Sequence, residues 1–183
     1  MKEITNIYLV GPMGSGKTTI GNKLAKELKL NFYDTDKEIE LKTGVEISYI
    51  FEKEGEAGFR IREKEAIRKL TKLESIVLST GGGSIINKEV RENLKDTGII
   101  IFLEASIEKQ LLQTGYNDNR PLLNNGDKRS KLEKLYKLRK PIYKNIADIE
   151  INTNNKNIKR IIEDIILLIF TYFIRYFNKG KNV

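Results

Sequence analysis

Residues 11–18, Gly-Pro-Met-Gly-Ser-Gly-Lys-Thr, carry the spacing G-x-x-x-x-G-K-[ST]. Each residue type in that pattern has a task in holding phosphate. The glycines let successive backbone N–H groups turn inward around an anion, and a helix starting behind them adds its positive end. Lys17 is placed to reach β- and γ-phosphates, and the Thr18 hydroxyl to ligate Mg²⁺. An apolar run at 7–10 precedes the motif and a helical pattern from residue 17 follows it, which is the setting the motif requires. The segment is read as a nucleoside triphosphate site with Gly14, Ser15, Gly16, Lys17, Thr18 and Thr19 as its candidate residues.

Three further features have types suited to the same chemistry. Asp34 and Asp36 end a short apolar stretch. At the C-terminal end of a parallel strand one carboxylate can hold the hydration shell of Mg²⁺ and another can accept a hydroxyl proton. The same Asp-Thr-Asp run also reads simply as a helix N-cap with acids near the dipole. Gly81, Gly82 and Gly83 follow the run Ile76-Val77-Leu78. Three glycines in a row cost folding entropy, so they suit a backbone that must approach a ligand closely, although a plain loop has the same composition. Arginine is scarce, nine of 33 basic residues. Arg60, Arg120 and Arg139 lie near the other features and are candidates for bidentate anion recognition.

Composition removes whole classes of mechanism. The 183 residues include no Cys and no His, so disulfides, thiolate zinc sites, cysteine nucleophiles and imidazole bases are excluded. A general base must be a carboxylate or a lysine, and a metal must be a hard ion held by oxygen. The formal charge is +8, which alone would suit nucleic acid. The lysines of 128–144, however, interleave with Leu132, Leu135, Leu138 and Ile142 at helical spacing. They read as the wet face of an amphipathic helix, and no nucleic-acid partner is expected.

Placing these groups together requires strands and helices in alternation. Strands are expected at 7–10, 32–33, 76–78, 99–103 and 149–151. Helices are expected at 17–28, 35–43, 47–73, 88–94, 107–113, 127–143 and 157–177. Continuous β-branched runs between helices imply a parallel α/β sheet covered on both faces, in a single domain, 1–183. Residues 114–127 are polar and long for a loop, and read as a mobile segment. The first residues lack the pattern of an export signal. The most apolar stretch, 165–174, is about half of the roughly 20 residues a membrane span needs. A cytoplasmic enzyme without stable membrane insertion is the expectation. The last helix carries Phe170, Tyr172, Phe173, Tyr176 and Phe177; core packing of its first half is the favoured reading, and a patch for self-association or a membrane surface at its apolar end is the alternative.

The phosphate loop, Asp34-Thr35-Asp36, Phe59-Arg60, the three glycines, Arg120-Pro121-Leu122-Leu123 and Arg139 before Pro141-Ile142-Tyr143 together resemble shikimate kinase in order and spacing. The resemblance runs from about residue 7 to 153. It implies a three-layer P-loop NTPase fold of the nucleoside-monophosphate-kinase type. That fold has a five-stranded parallel sheet, a lid at about 114–127 and a substrate-binding helical region at about 34–62. It implies ATP-dependent phosphorylation of the shikimate 3-hydroxyl, on the route to chorismate and aromatic amino acids, by a monomer using Mg²⁺. Carried over, Asp34 would hold Mg²⁺ through water, and Asp36 would bind the shikimate hydroxyls and act as candidate base. Arg60 and Arg139 would clamp the carboxylate, and Gly82 and Gly83 would donate N–H groups to the substrate. Gly81 and Gly82 would lie near the γ-phosphate, and Arg120 would swing in with the lid, excluding water. Two positions depart from the family pattern: Gln113 stands where an arginine often faces adenine, and Asn152 where an aspartate is common. Two other readings share the phosphate loop: a gluconate-type sugar-acid kinase, and a nucleotide-binding regulatory protein without turnover. The triple glycine and Arg120-Pro121 favour shikimate over the first; the presence of Lys17, Asp36 and Arg120 disfavours the second.

Overall fold

A computed structural model describes residues 6–115 and 127–179, with the side chains of 175–179 left aside. The strands are β1 (Ile7–Val10), β2 (Asn31–Asp34), β3 (Ile76–Ser79), β4 (Ile99–Glu104) and β5 (Ile149–Asn152). The helices are α1 (Lys17–Leu28), α2 (Thr35–Thr43), α3 (Ile47–Leu70), α4 (Lys88–Thr97), α5 (Ile107–Thr114), α6 (Lys128–Ile146) and α7 (Ile158–Lys179). The strands form one sheet in the order β2-β3-β1-β4-β5, with every pairing parallel.

The strand period of two divides the core into the two halves of a three-layer fold. Ile7, Leu9, Val77, Ile99, Ile101 and Leu103 face one side, where Leu24 of α1 and Ile161 and Ile165 of α7 cover them. Tyr8, Val10, Leu78, Ile100 and Phe102 face the other, against Ile67 of α3, Leu94 of α4 and Tyr143 of α6. Burial on both faces is why the three central strands read as unbroken apolar runs. Leu9 and Asp34 both pair with Ser79 in register. The phosphate loop, the Asp34–Asp36 pair and the triple glycine therefore leave the sheet side by side from the same edge.

Two expectations need correction. The helix read as 47–73 ends at Leu70 and is broken at Gly55, whose φ of 70° lies in the left-handed region. The break lets the first part of α3 fold over α2, where Ile39, Ile50 and Phe59 form a small core of their own. On α6, Leu138 is 71% exposed, while the buried positions are Leu132, Arg139, Tyr143 and Ile146. Leu132 is buried and Ile142 packs against the core as expected, but at the middle of the helix Arg139 turns inward in place of Leu138. On α7, Ile161, Ile162, Ile165 and Ile169 enter the core as expected, while Leu167, Phe170 and Ile174 stay exposed. Among the described residues no helix is long and apolar enough to cross a membrane. Of the segment read as a lid, Thr114 ends α5 and Asp127 caps α6 by accepting from Arg129 N. Residues 116–126, including Arg120, lie outside the described residues, as do the side chains of Tyr176 and Phe177.

Candidate active site

The three loops border one cleft of about 460 Å³, lined among others by Gly14, Gly16, Lys17, Thr18, Thr19, Asp34, Asp36, Arg60, Gly81, Gly82, Gly83 and Arg139. Its size suits a small-molecule site. Ser15 is fully buried behind this lining, and its hydroxyl has no hydrogen-bond partner among the described residues. Every candidate residue that is described is thus at the cleft or directly beneath it.

At the phosphate end, Lys17 folds over its own loop, donating to Gly11 O at 2.9 Å and Pro12 O at 2.8 Å. The Thr18 hydroxyl donates to Asp34 Oδ2 at 2.7 Å. The other carboxylate oxygen of Asp34 accepts from Asp36 N at 3.1 Å and caps α2. The N-cap reading of the acidic run holds for one oxygen of Asp34, and its other oxygen is held by Thr18 of the phosphate loop.

Asp36 is reached by water from the mouth of the cleft, but protein crowds around it on its other sides. That crowding strips water from the carboxylate and, with the negative charges of Asp34 and Glu63, raises its pKa to about 7. Lys17 and Arg60 pull the other way without reversing the shift. A carboxyl that titrates near neutrality can exchange a proton with a hydroxyl, which an ordinary aspartate does poorly.

The far end of the cleft sets two guanidinium groups, Arg60 and Arg139, beside apolar side chains. Arg60 donates to Glu63 Oε2 at 2.6 Å and, through Nη2, to Glu56 Oε1 at 2.8 Å. Glu63 is 2% exposed, and its Oε1 has no hydrogen-bond partner among the described residues. Burial raises the Glu63 pKa, and the Arg60 guanidinium beside it favours the ionised form. Arg139 is 5% exposed and makes no hydrogen bond among the described residues. Burial lowers its pKa, the neighbouring Arg60 adds to this, and Glu56 and Glu63 offset it in part. Ile47, Phe51 and Phe59 line the same end, with the two rings 4.8 Å apart.

This arrangement also gives the triple glycine a second cause. A Cβ on Gly81 would lie 2.1 Å from Glu63 Oε1, and one on Gly83 would lie 2.3 Å from an Arg60 nitrogen. The loop is bare because the Arg60–Glu63 pair packs against it. Glu63 does not stand out in the sequence, since Arg62-Glu63-Lys64-Glu65 reads as a solvated helix face. Its i,i+3 spacing from Arg60 is the one signal that was available.

The two departures from the family pattern are placed as follows. Gln113 lines the cleft beside the phosphate loop, where a Cβ on Gly14 would meet its own Cβ at 3.2 Å. Asn152 accepts from Asn154 N at 2.9 Å, and Asn154 in turn accepts from Ser106 N at 2.9 Å. Asn152 therefore shapes a turn between β5 and α7, which needs only its side-chain oxygen.

Comparisons with known proteins agree with this geometry. A shikimate kinase from Buchnera aphidicola subsp. Baizongia pistaciae is 50% identical over 171 residues, covering 92% of this chain and 98% of its own. The structure of a shikimate kinase from Acinetobacter baumannii in complex with shikimate superposes with a TM-score of 0.90. It has 46% identity and covers 92% of this chain and 94% of its own. A gluconokinase from Sinorhizobium meliloti shares the fold at a TM-score of 0.59 but only 15% identity, over 97% of this chain and 99% of its own. The sequence model described as "Shikimate kinase" matches residues 13–169. With a match of that extent on a cleft of this chemistry, the chain belongs to the shikimate kinase family.

Proposed function

We propose that the enzyme transfers the γ-phosphoryl group of ATP to the 3-hydroxyl of shikimate, giving shikimate 3-phosphate and ADP. The observation that carries this reading is Arg139, which lines the cleft beside Arg60 and has no protein hydrogen bond among the described residues. A guanidinium left without a protein acceptor at the wall of a cleft is placed to take a ligand carboxylate in a bidentate pair. Arg60 faces the same space, so a substrate carboxylate meets two guanidinium groups, and the phenylalanines support its ring.

The phosphate loop holds ATP, with Lys17 turning from its own carbonyls to the phosphates. Asp36 orients the acceptor hydroxyl and receives its proton as the new O–P bond forms and the bond to the ADP oxygen breaks. Gly82 and Gly83 offer N–H groups to the acceptor. Arg120, on the lid, neutralises charge on the transferring group, and lid closure excludes water. Thr18 and Asp34 supply hard oxygens 2.7 Å apart. Among the described residues no group of three or more carboxylates forms a protein cage for a metal. That donor set fits Mg²⁺, which keeps several waters and leans on nucleotide phosphates. When bound, the ion neutralises phosphate charge; Thr18 would hold it directly and Asp34 through water.

The test is ADP release with Mg²⁺ and ATP, with and without shikimate. A large shikimate-dependent rate that EDTA abolishes is expected. No stimulation by shikimate, with a rate appearing on a sugar acid such as gluconate, would overturn the acceptor assignment. Because the reaction consumes ATP, we place it in the cytoplasm. Its ligands are small molecules rather than nucleic acid.

We read the working unit as a monomer. The exposed Leu167, Phe170 and Ile174 of α7 are where copies would meet at high concentration. Sedimentation at micromolar concentration is expected to give a single chain. A dimer that Phe170→Glu dissolves would make α7 an interface instead.

A further inference from the structure

Gly82 and Gly83 serve as donors only if their N–H groups face the cleft, and consecutive glycines do not by themselves hold a direction. In a trans peptide the carbonyl and the following N–H point in opposite directions. No cis peptide bond occurs among the described residues. Whatever holds Gly81 O therefore aims the Gly82 N–H, and whatever holds Gly82 O aims the Gly83 N–H.

Both carbonyls are held. Ser84 donates to Gly81 O from its hydroxyl at 2.8 Å and from its N–H at 3.2 Å. The Tyr143 hydroxyl donates to Gly82 O. Tyr143 is fully buried on α6, and its ring stacks on Phe102 of β4 at 5.0 Å and 17°. Burial raises the pKa of its phenol, so the proton it donates stays in place throughout the neutral range. The hydroxyl is thus anchored to a central strand through its own ring. Arg139 lies four residues earlier on the same helix, with its guanidinium in the cleft.

We propose that Tyr143 is a positioning residue for the acceptor: by holding Gly82 O it turns the Gly83 N–H into the cleft, at a fixed separation from Arg139. As a statement about the acceptor this rests on the reading of the cleft as a shikimate site. As a statement about the loop it stands without that reading. Among the described residues Tyr143 makes no hydrogen bond to the phosphate loop, but Gly82 packs against that loop, where a Cβ on it would stand 3.4 Å from Gly11 O and Met13 N, so the larger effect falls on the acceptor and a smaller one on ATP.

Tyr143→Phe keeps the ring and removes the hydroxyl. The KM for shikimate is expected to rise about tenfold, the loss of one well-placed hydrogen bond, while the KM for ATP stays within about twofold. Hydrogen exchange in a peptide spanning 80–86 is expected to quicken, with β4 remaining protected. Ser84→Ala, which weakens the other carbonyl anchor, is expected to shift the same two readouts more weakly. Unchanged exchange in 80–86 would overturn the proposal. So would faster exchange with an unchanged shikimate KM, or an equal rise in both KM values. If the wild-type chain did not phosphorylate shikimate, the functional reading would fall, and the exchange measurement alone would still decide whether Tyr143 holds the loop.

Discussion

Replacing Asp36 with asparagine is expected to lower shikimate-dependent turnover by about a thousandfold while leaving ATP affinity within about twofold. The asymmetry follows from the proposed roles, in which Asp36 serves the acceptor hydroxyl and the 11–18 loop holds the phosphates. Asparagine keeps the shape and the oxygen but cannot receive a proton. In the wild-type enzyme kcat/KM is expected to rise with pH through about 7, as Asp36 loses its proton. The same substitution should raise stability. In the unfolded chain an aspartate loses its proton near 3.9, and in the folded protein near 7. Between those values the folded state binds more protons than the unfolded state, so Asp36 makes stability fall as pH rises. The ligand-free Asp36→Asn protein should therefore melt above the wild type at pH 8, with the difference vanishing below about pH 4. Retention of most of the activity would remove Asp36 from the proton's path. A lower melting temperature at pH 8 would contradict the crowding that raises its pKa.

The second large effect is expected from Arg60→Lys. The guanidinium answers Glu63 and Glu56 with two nitrogens at once, and an ammonium cannot reproduce that fork. A lysine that turns toward Glu63 leaves the substrate carboxylate, and one that turns toward the substrate leaves Glu63 buried without its cation. Each lost charge-assisted bond corresponds to about 1.5–3 kcal/mol. The KM for shikimate should then rise by between about tenfold and a hundredfold, with the KM for ATP nearly unchanged. Equal increases for the two substrates would count against a carboxylate clamp.

What could be read from the sequence follows from where each signal originates. The central strands announced themselves because both of their faces are covered, so Ile99-Ile100-Ile101-Phe102-Leu103 had no polar position to interrupt it. The phosphate loop was legible because its chemistry is local and its eight residues are contiguous. The break at Gly55 was hidden because the residues beside it, Lys53-Glu54 and Glu56-Ala57, are ordinary helix formers. Leu138 misled for a related reason: periodicity counts apolar residues, whereas the α6 face that turns inward carries Arg139 and Tyr143. Glu63 and Tyr143 take their roles from tertiary contacts with a loop some twenty and sixty residues away along the chain. No local pattern records such contacts.

The packing of Arg60 and Glu63 against Gly81 and Gly83 also has a meaning for engineering. The atoms that a new methyl group would strike are the tips of those two side chains, not the main chain. An alanine at 83 would therefore let the protein fold and move the guanidinium, so the fault would surface in metabolism and not in yield. Residues 60–63 and 81–83 are in this sense one packing unit written in two places. A chimera that exchanges one of them between relatives must carry the other with it.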